Sequence, residues 1–394
     1  MQRSSIPAFL RTAFVLVLAM VFLYLVTVQA EAMNPWMEST FAKGVYRVTF
    51  FVRLPAAVMG SFFFPLDASH HWPRGLTIFS CVGAPLFWYA VWRASHVALR
   101  IVSRAFLRPA TESSMSRESE LSRRVFLGRM AMGAGIVVPG GTGTYGVLLE
   151  PQDLQVRRYT IPITDLPPSL SGLRIAHVSD LHYGPCITLQ YLRRALGVVA
   201  ELNPDFVILT GDYTQKTWKA IEPGIELLGA LQPKYGMAAV LGNHDYWEGP
   251  DITVRAMERL SIPVLTNKSC FLTPEGLGER CVPGHSLCIA GIDDLWEGTP
   301  SIDKALAGVP PEVPRLVLSH NPDCAEHAPP GIRVDLMCSG HTHGGQVQFP
   351  LVGAPIVPSA FGQKYVGGLC TGPRFPVLVS RGVGMAMFPV RLGV

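Results

Sequence analysis

No Cys-x-x-Cys pair occurs anywhere in the 394 residues, although the chain holds eight cysteines. The main signature of a thioredoxin-like redox site or a zinc ribbon is therefore missing. His-Glu-x-x-His is missing too, and with it the helix of a zinc peptidase. Basic charge is scarce: the formal net charge is +4, and its surplus is concentrated in one N-terminal loop, so nucleic acid is not an expected partner. Nor does an A-x-A-like cleavage site follow the last N-terminal apolar stretch, which is accordingly expected to stay in the chain as an anchor.

What is abundant is apolar sequence, 48% of all residues, and it is unevenly spread. Long runs crowd the first 150 positions, whereas later residues alternate short apolar runs with Gly, Pro, Asp and Asn in the manner of a globular α/β chain. Phe9 to Ala30 is long enough for a transmembrane helix. Leu76 to Trp92 is shorter but uncharged, and Trp88, Tyr89 and Trp92 suit an interfacial aromatic belt. Val45 to Leu66 is interrupted by Arg47 and Arg53, which leaves spanning, re-entrant and surface placements open. Residues 1–124 are thus expected to form a membrane region of two to three spans.

Between Arg93 and Arg124 seven arginines face three glutamates, a bias that puts this loop on the cytoplasmic side. The stretch that follows begins Ser122, Arg123, Arg124, Val125, Phe126, Leu127. It resembles a twin-arginine export signal, and the translocase that reads such signals would be a partner during export. An ordinary positively flanked transmembrane helix is the other reading of residues 125–150. Both readings send residues 151–394 to the periplasmic or extracytoplasmic side of the inner membrane.

Within 151–394 the pattern predicts an edge strand at Val156–Ile163 and strands at Leu173–Ser179, Phe206–Thr210, Met237–Leu241, Leu316–Ser319, Leu336–Ser339 and Pro376–Val379. Helices are predicted at Leu189–Leu202, Ile221–Leu231 and Ile252–Leu260, and a hairpin with a loop insertion at Cys270–Asp293. Strands alternating with helices make a layered α/β domain with its helices outside.

Five strand ends carry groups that bind metal well. These are HVSDLHYG with Asp180 and His182, LTGDY with Asp212, VLGNHDYW with Asn243, His244 and Asp245, LSHNPD with His320, and SGHTHGGQ with His341 and His343. Loops at the carboxyl edge of a sheet converge on one crevice, so a shared site is geometrically natural. Carboxylate, amide and imidazole without thiolate favour manganese, iron or zinc, and so many donors suit two ions rather than one. Taken alone, His320 reads equally well as a residue just ahead of a helix start at Pro322.

This series, D-x-H, GD, GNHD, an isolated His and GHTH in that order, resembles the calcineurin-like metallophosphoesterase superfamily. SGHTHGGQ and the trailing VSRGVGMAMFPVR resemble its exported or membrane-associated bacterial branch. The resemblance covers residues 155 to 394. It implies a four-layer αββα sandwich, here preceded by transmembrane helices. It further implies a first metal held by Asp180, His182 and His343, a second held by Asn243, His320 and His341, and Asp212 bridging them. His244 would donate a proton to the leaving group or stabilise the phosphorane, Asp245 would orient His244, and a metal-bridging hydroxide would be the nucleophile. Relatives of this branch commonly continue past the PVR block with a further strand, which leaves two readings open: a last sheet one strand short, or a truncated chain.

The function so implied is hydrolysis of phosphate esters, with diesters or pyrophosphate-linked lipid or envelope intermediates as substrates. The alternative is a metal-binding envelope or transport-associated protein that keeps the site without turnover. His177 is expected in the core, and His70, His71, His96, His285 and His327 at the surface. Gln346 suits either a substrate contact or a loop-stabilising amide. Cys270, Cys281 and Cys288 could supply one disulfide, while Cys338 is expected to be a buried thiol.

Overall fold

The computed structural model describes residues 145–386 and 390–394, all within one compact unit that spans 144–394. The expected spans at 9–30, 45–66 and 76–92, the basic loop and the twin-arginine-like segment up to residue 144 lie outside the described residues. Among the described residues no helix is long and apolar enough to cross a membrane.

Two sheets form the centre. The first has the order β1 (Ile175–Val178), β2 (Phe206–Thr210), β3 (Met237–Val240), all parallel. Every residue of β2 is buried, as expected of a central parallel strand covered on both faces and written as an unbroken apolar run. The second sheet contains β4 (Lys268–Thr273), β5 (Gly276–Gly278), β6 (Leu287–Gly291), β7 (Arg315–Leu318), β8 (Leu336–Ser339), β9 (Gly368–Thr371) and β10 (Pro376–Val379), in the order β5-β4-β6-β7-β8-β10-β9. Strands β6, β7, β8 and β10 run parallel, and antiparallel β4 and β9 flank them.

The layering follows from which side chains pack together. Phe206, Ile208, Ala238 and Val240 of the first sheet meet Leu272, Ile289, Leu316, Leu318 and Cys338 of the second in one buried cluster between the sheets. The other face of the first sheet, with Val207, Leu209 and Ala239, is covered by α1 (Leu189–Glu201), α2 (Ile221–Glu226) and α4 (Pro250–Arg259). The outer face of the second sheet, with Ala290, Val317, Met337 and Val377, is covered by α5 (Ile302–Ala305) and the 3-10 turn at Pro322–His327. Helix α1 starts where the Thr188 side chain accepts the Tyr191 N–H at 3.2 Å, and it buries Leu192, Ala195 and Leu196, the i, i+3, i+4 stripe of an amphipathic helix.

Three expectations are corrected. Val156–Ile163 is no strand: it has no ladder partner and most of its side chains are exposed, so the alternation lacks the neighbour that would make it a half-buried surface. Ile221–Leu231 is one α-turn and a half followed by a 3-10 turn at Leu227–Ala230. No disulfide forms among the described residues, whose seven cysteines are all free. Register explains Cys270 and Cys288: Cys270 faces Ile289 and Phe271 faces Cys288, which turns the two thiols to opposite faces of the sheet. The short helix α3 (Asn243–Glu248), helix α5 and strand β9 were not evident in the sequence pattern.

Candidate metal centre

The nine polar residues singled out from the sequence are all buried, none more than 7% exposed. Each follows the carboxyl end of a parallel strand: β1 leads to Asp180 and His182, β2 to Asp212, β3 to Asn243, His244 and Asp245, β7 to His320, and β8 to His341 and His343. The parallel direction of these strands is what delivers their loops to a common edge.

Two clusters of donors result. In the first, His182 Nε2 and His343 Nε2 stand 2.9 Å apart, and Asp180 Oδ1 lies 3.8 Å from the one and 3.2 Å from the other. In the second, His320 Nε2 lies 3.2 Å from Asp212 Oδ2 and 3.1 Å from His341 Nδ1. Asp212 Oδ2 is also 3.5 Å from His182 Nε2, so this one oxygen faces both clusters. Asn243 Oδ1 is buried without a hydrogen-bond partner.

Such an arrangement fits divalent cations. Two imidazole nitrogens and a carboxylate oxygen aimed at one point can be only partly satisfied by protons, and a buried amide oxygen left unpaired costs stability unless something binds it. The backbone carries the same message. Asp180, His182, Asp212, His341 and His343 all have positive φ, between 47° and 70°, a conformation that costs energy for residues with a Cβ and that clusters at functional sites.

The surroundings tune the donors. Burial works against the ionised form of Asp212, yet the neighbouring His320, His244 and His182 hold its carboxyl well below the usual range. Burial keeps His182 neutral, its pKa far below that of a free imidazole. His320 Nδ1 lies 2.7 Å from the Thr210 carbonyl, an acceptor only, so Nδ1 carries a hydrogen and Nε2 is turned to Asp212. Burial opposes charge on this ring too, but Asp212 and, after it, Asp180 and Asp294 raise its pKa to about 10; Nε2 thus holds a proton or a cation in its place.

Close approach is enforced by glycine. A Cβ on Gly242 would run into the Asp212 carboxylate and the His320 ring. The Asp245 oxygens accept backbone N–H groups from Asp212, Gly242 and Tyr213 at 2.8, 2.9 and 2.9 Å. Asp245 ties the β2 loop to the start of α3. The His244 N–H in turn donates to Asp212 Oδ1 at 2.9 Å, and its ring stands edge-on to His182 at 4.7 Å between centroids.

Other expectations resolve as follows. His177 is half-buried in β1, hydrogen-bonded to Thr210 Oγ1 at 2.8 Å. His285 and His327 are exposed, and Cys338 is buried. Gln346 donates from Nε2 to the Ala386 carbonyl at 2.9 Å, while its Oε1 is buried without a hydrogen-bond partner.

Sequence reasoning missed two tryptophans. Trp247 packs on His244 and Trp296 on His341, at 4.5 and 4.2 Å between ring centroids. Trp247 Nε1 donates to Glu297 at 2.7 Å, which joins α3 to the loop after β6. In that loop the buried carboxylate of Asp294 accepts the N–H groups of Trp296 and Glu297, each at 2.9 Å. The available signal was GIDDLWEG at the carboxyl end of a strand, the same position that marks every other loop of the site.

Comparison with known proteins agrees. Residues 173–345 match the family model described as calcineurin-like phosphoesterase. The chain is 31% identical over 277 residues to the uncharacterized metallophosphoesterase YkuE of Bacillus subtilis, covering 69% of this chain and 94% of that one. It is 30% identical over 355 residues to a transmembrane protein with metallophosphoesterase domain of Danio rerio, covering 86% and 76%. It is 30% identical over 281 residues to the phosphodiesterase YaeI of Escherichia coli, covering 69% and 95%. With the loops of two stacked sheets bringing a His/Asp cluster together, and with relatives of this similarity along most of their length, the chain belongs to the calcineurin-like phosphoesterase family and is a phosphoric ester hydrolase.

Proposed function

We propose that this chain is a membrane-tethered, dinuclear-metal phosphodiesterase whose catalytic domain, residues 151–394, lies on the extracytoplasmic side. In this reading residues 1–124 are a membrane region and residues 125–150 an export signal or anchor. Asp180, His182 and His343 would hold one ion and Asn243, His320 and His341 the other, with Asp212 available to both. The observation that carries the reading is the position of Asp212 Oδ2, within 3.5 Å of His182 Nε2 and 3.2 Å of His320 Nε2.

Two divalent ions, of manganese, iron or zinc, would supply Lewis-acid polarisation of the phosphoryl group and a nucleophile at neutral pH. The remaining work falls to the chain. Asp212 stays ionised among three imidazoles, and His320 is turned to it by the Thr210 carbonyl. His244, held by its own backbone to Asp212, presents its ring beside His182 and Trp247 and hands a proton to the leaving oxygen. Trp247 and Trp296 flank the two clusters and narrow the approach of substrate.

A diester is favoured over a monoester by the name of the phosphodiesterase relative, and a lipid-linked or envelope substrate by the apolar runs before residue 150 together with the relative named as a transmembrane protein. The test is hydrolysis by purified, manganese-loaded full chain. Bis-p-nitrophenyl phosphate is expected to be cleaved faster than p-nitrophenyl phosphate, and Asp212→Asn to abolish both. Equal, negligible release by wild type and variant would leave a metal-binding protein without turnover.

A further inference from the structure

The loop that follows the last histidine of the site is out of character for a surface loop. Between His343 and Lys364 there is no Asp, Glu, Lys or Arg. Several of its large apolar side chains stand in solvent: Leu351 is 107% exposed, Val352 71%, Phe349 48% and Ile356 43%. The exposure is built in. Phe349 and Gly353 exchange N–H···O bonds of 2.9 Å in both directions, closing a turn with Leu351 at its tip, and the Gln363 side chain straps Ala354 behind it. Loops facing water are ordinarily polar, and exposed apolar patches mark interaction surfaces.

Where the chain enters the domain says what covers this turn. The first described residues, Tyr145–Leu149, follow directly on the N-terminal segment with its long apolar runs. Gly146 accepts the Arg391 N–H at 2.8 Å, and Leu392 pairs with the strand-like stretch that leads into the turn, through Leu392 N to Gln346 O at 2.9 Å and Gln348 N to Leu392 O at 2.7 Å. The entry point, the C-terminal residues and the base of the apolar loop therefore lie side by side. Tyr145 and Leu149 at this entry are themselves exposed. Only three residues separate His343 from Val347, the first residue of the loop's base.

We infer that the turn Phe349–Ile356 is a membrane-contact surface that inserts its apolar side chains into the bilayer next to the chain's own anchor, and so holds the metal centre over substrates in the lipid surface. The inference rests on the membrane-tethered reading above. A short apolar wedge dips into the headgroup and acyl boundary by burying area, with the covalent tether raising its effective concentration there.

The test uses full-length chain in lipid nanodiscs, one copy per disc, containing phosphatidylcholine with a diazirine in its acyl tail. After irradiation, cross-links are mapped by mass spectrometry. They are expected at residues 349–356 as well as before residue 145. In Leu351→Asp/Val352→Asp those at 349–356 should fall at least fivefold, while N-terminal cross-links and hydrolysis of bis-p-nitrophenyl phosphate persist. Leu351 has no packing to lose, so the variant keeps its fold. N-terminal cross-links without any at 349–356 would overturn the inference and leave the tether intact. Absence of both would overturn the tether and the inference with it. Protection of the loop seen only at high protein concentration in detergent, and never as lipid cross-links, would assign it to a second copy instead.

Discussion

Asp245 holds Asp212 by its backbone: the Asp212 N–H donates to Asp245 Oδ2 at 2.8 Å, and the same oxygen takes the Gly242 N–H at 2.9 Å. This carboxylate, which accepts three backbone N–H groups, is thereby a fastener between two loops of the site. Replacing it by Ala leaves three buried N–H groups without an acceptor, and Asn can turn an oxygen to only one side. Both Asp245→Ala and Asp245→Asn are expected to lose about 10- to 100-fold in metal affinity and about 2–3 kcal/mol in stability, the Asn variant no better than halfway restored. Isothermal titration with manganese and denaturant unfolding measure the two. Wild-type metal affinity in both variants would show that the loops hold without it.

His244 and Asp212 should separate when metal content and turnover are measured together. Asp212→Asn is expected to lose bound metal and activity at once. His244→Asn should retain near-normal metal stoichiometry by elemental analysis while hydrolysis falls by about 10²–10⁴, the range of a lost general acid. Loss of metal in the His244 variant would move that residue into the ligand set.

Removal of metal should weaken the fold as well as the chemistry. Ions that bind only the native state stabilise it by about 2.7 kcal/mol at a free concentration a hundredfold above Kd. Treatment with a chelator is therefore expected to abolish hydrolysis and lower the melting temperature by several degrees, with manganese or zinc restoring both. An unchanged melting temperature would count against the pocket as a tight metal site.

Stability should fall on mild acidification for a reason outside the metal centre. Burial lowers the His177 pKa from 6.5 to about 4, against a smaller opposing effect of Asp180. Because the folded value lies below the unfolded one, protonation favours the unfolded chain. The contribution is complete above pH 6.5 and is lost progressively as pH falls toward 4. Its size is on the order of 2 kcal/mol, allowing for the part of the ring open to solvent. His177→Gln, which keeps a partner for Thr210 Oγ1 but does not titrate, should flatten this part of the pH profile in urea unfolding. A parallel decline in both proteins would assign it elsewhere.

Orientation is checked by a reporter fused after Val394. Alkaline phosphatase there is expected to be active and a cytoplasm-dependent fluorescent protein dark. The reverse pattern would put the catalytic domain in the cytoplasm.

Much of this is legible in the amino-acid sequence. The apolar run Phe206–Thr210 and the ligand-bearing loops after the parallel strands are local signals, since a buried parallel strand must be written in apolar residues and its exit loop must supply the polar ones. Val156–Ile163 misled because alternation describes a surface and not the neighbour it needs. Trp247 stands one helical turn after His244 on α3 and escaped because a tryptophan by itself marks no site, whereas Trp296 reaches His341 only because the loops after β6 and β8 converge. The three hairpin cysteines looked available for a bridge until strand register turned Cys270 and Cys288 to opposite faces.

Residue identity and order along the chain determined the family, the class of chemistry and the donor atoms, because those depend on which groups exist and on the strand ends that carry them. Tertiary structure alone decided that Asp212 Oδ2 faces both clusters, that Asp245 fastens the backbone of Asp212, and that the base of the loop carrying the exposed Leu351 pairs with Leu392. Each of these is a distance between residues far apart in sequence, and such distances are set by the packing of one sheet on the other, which no local pattern encodes.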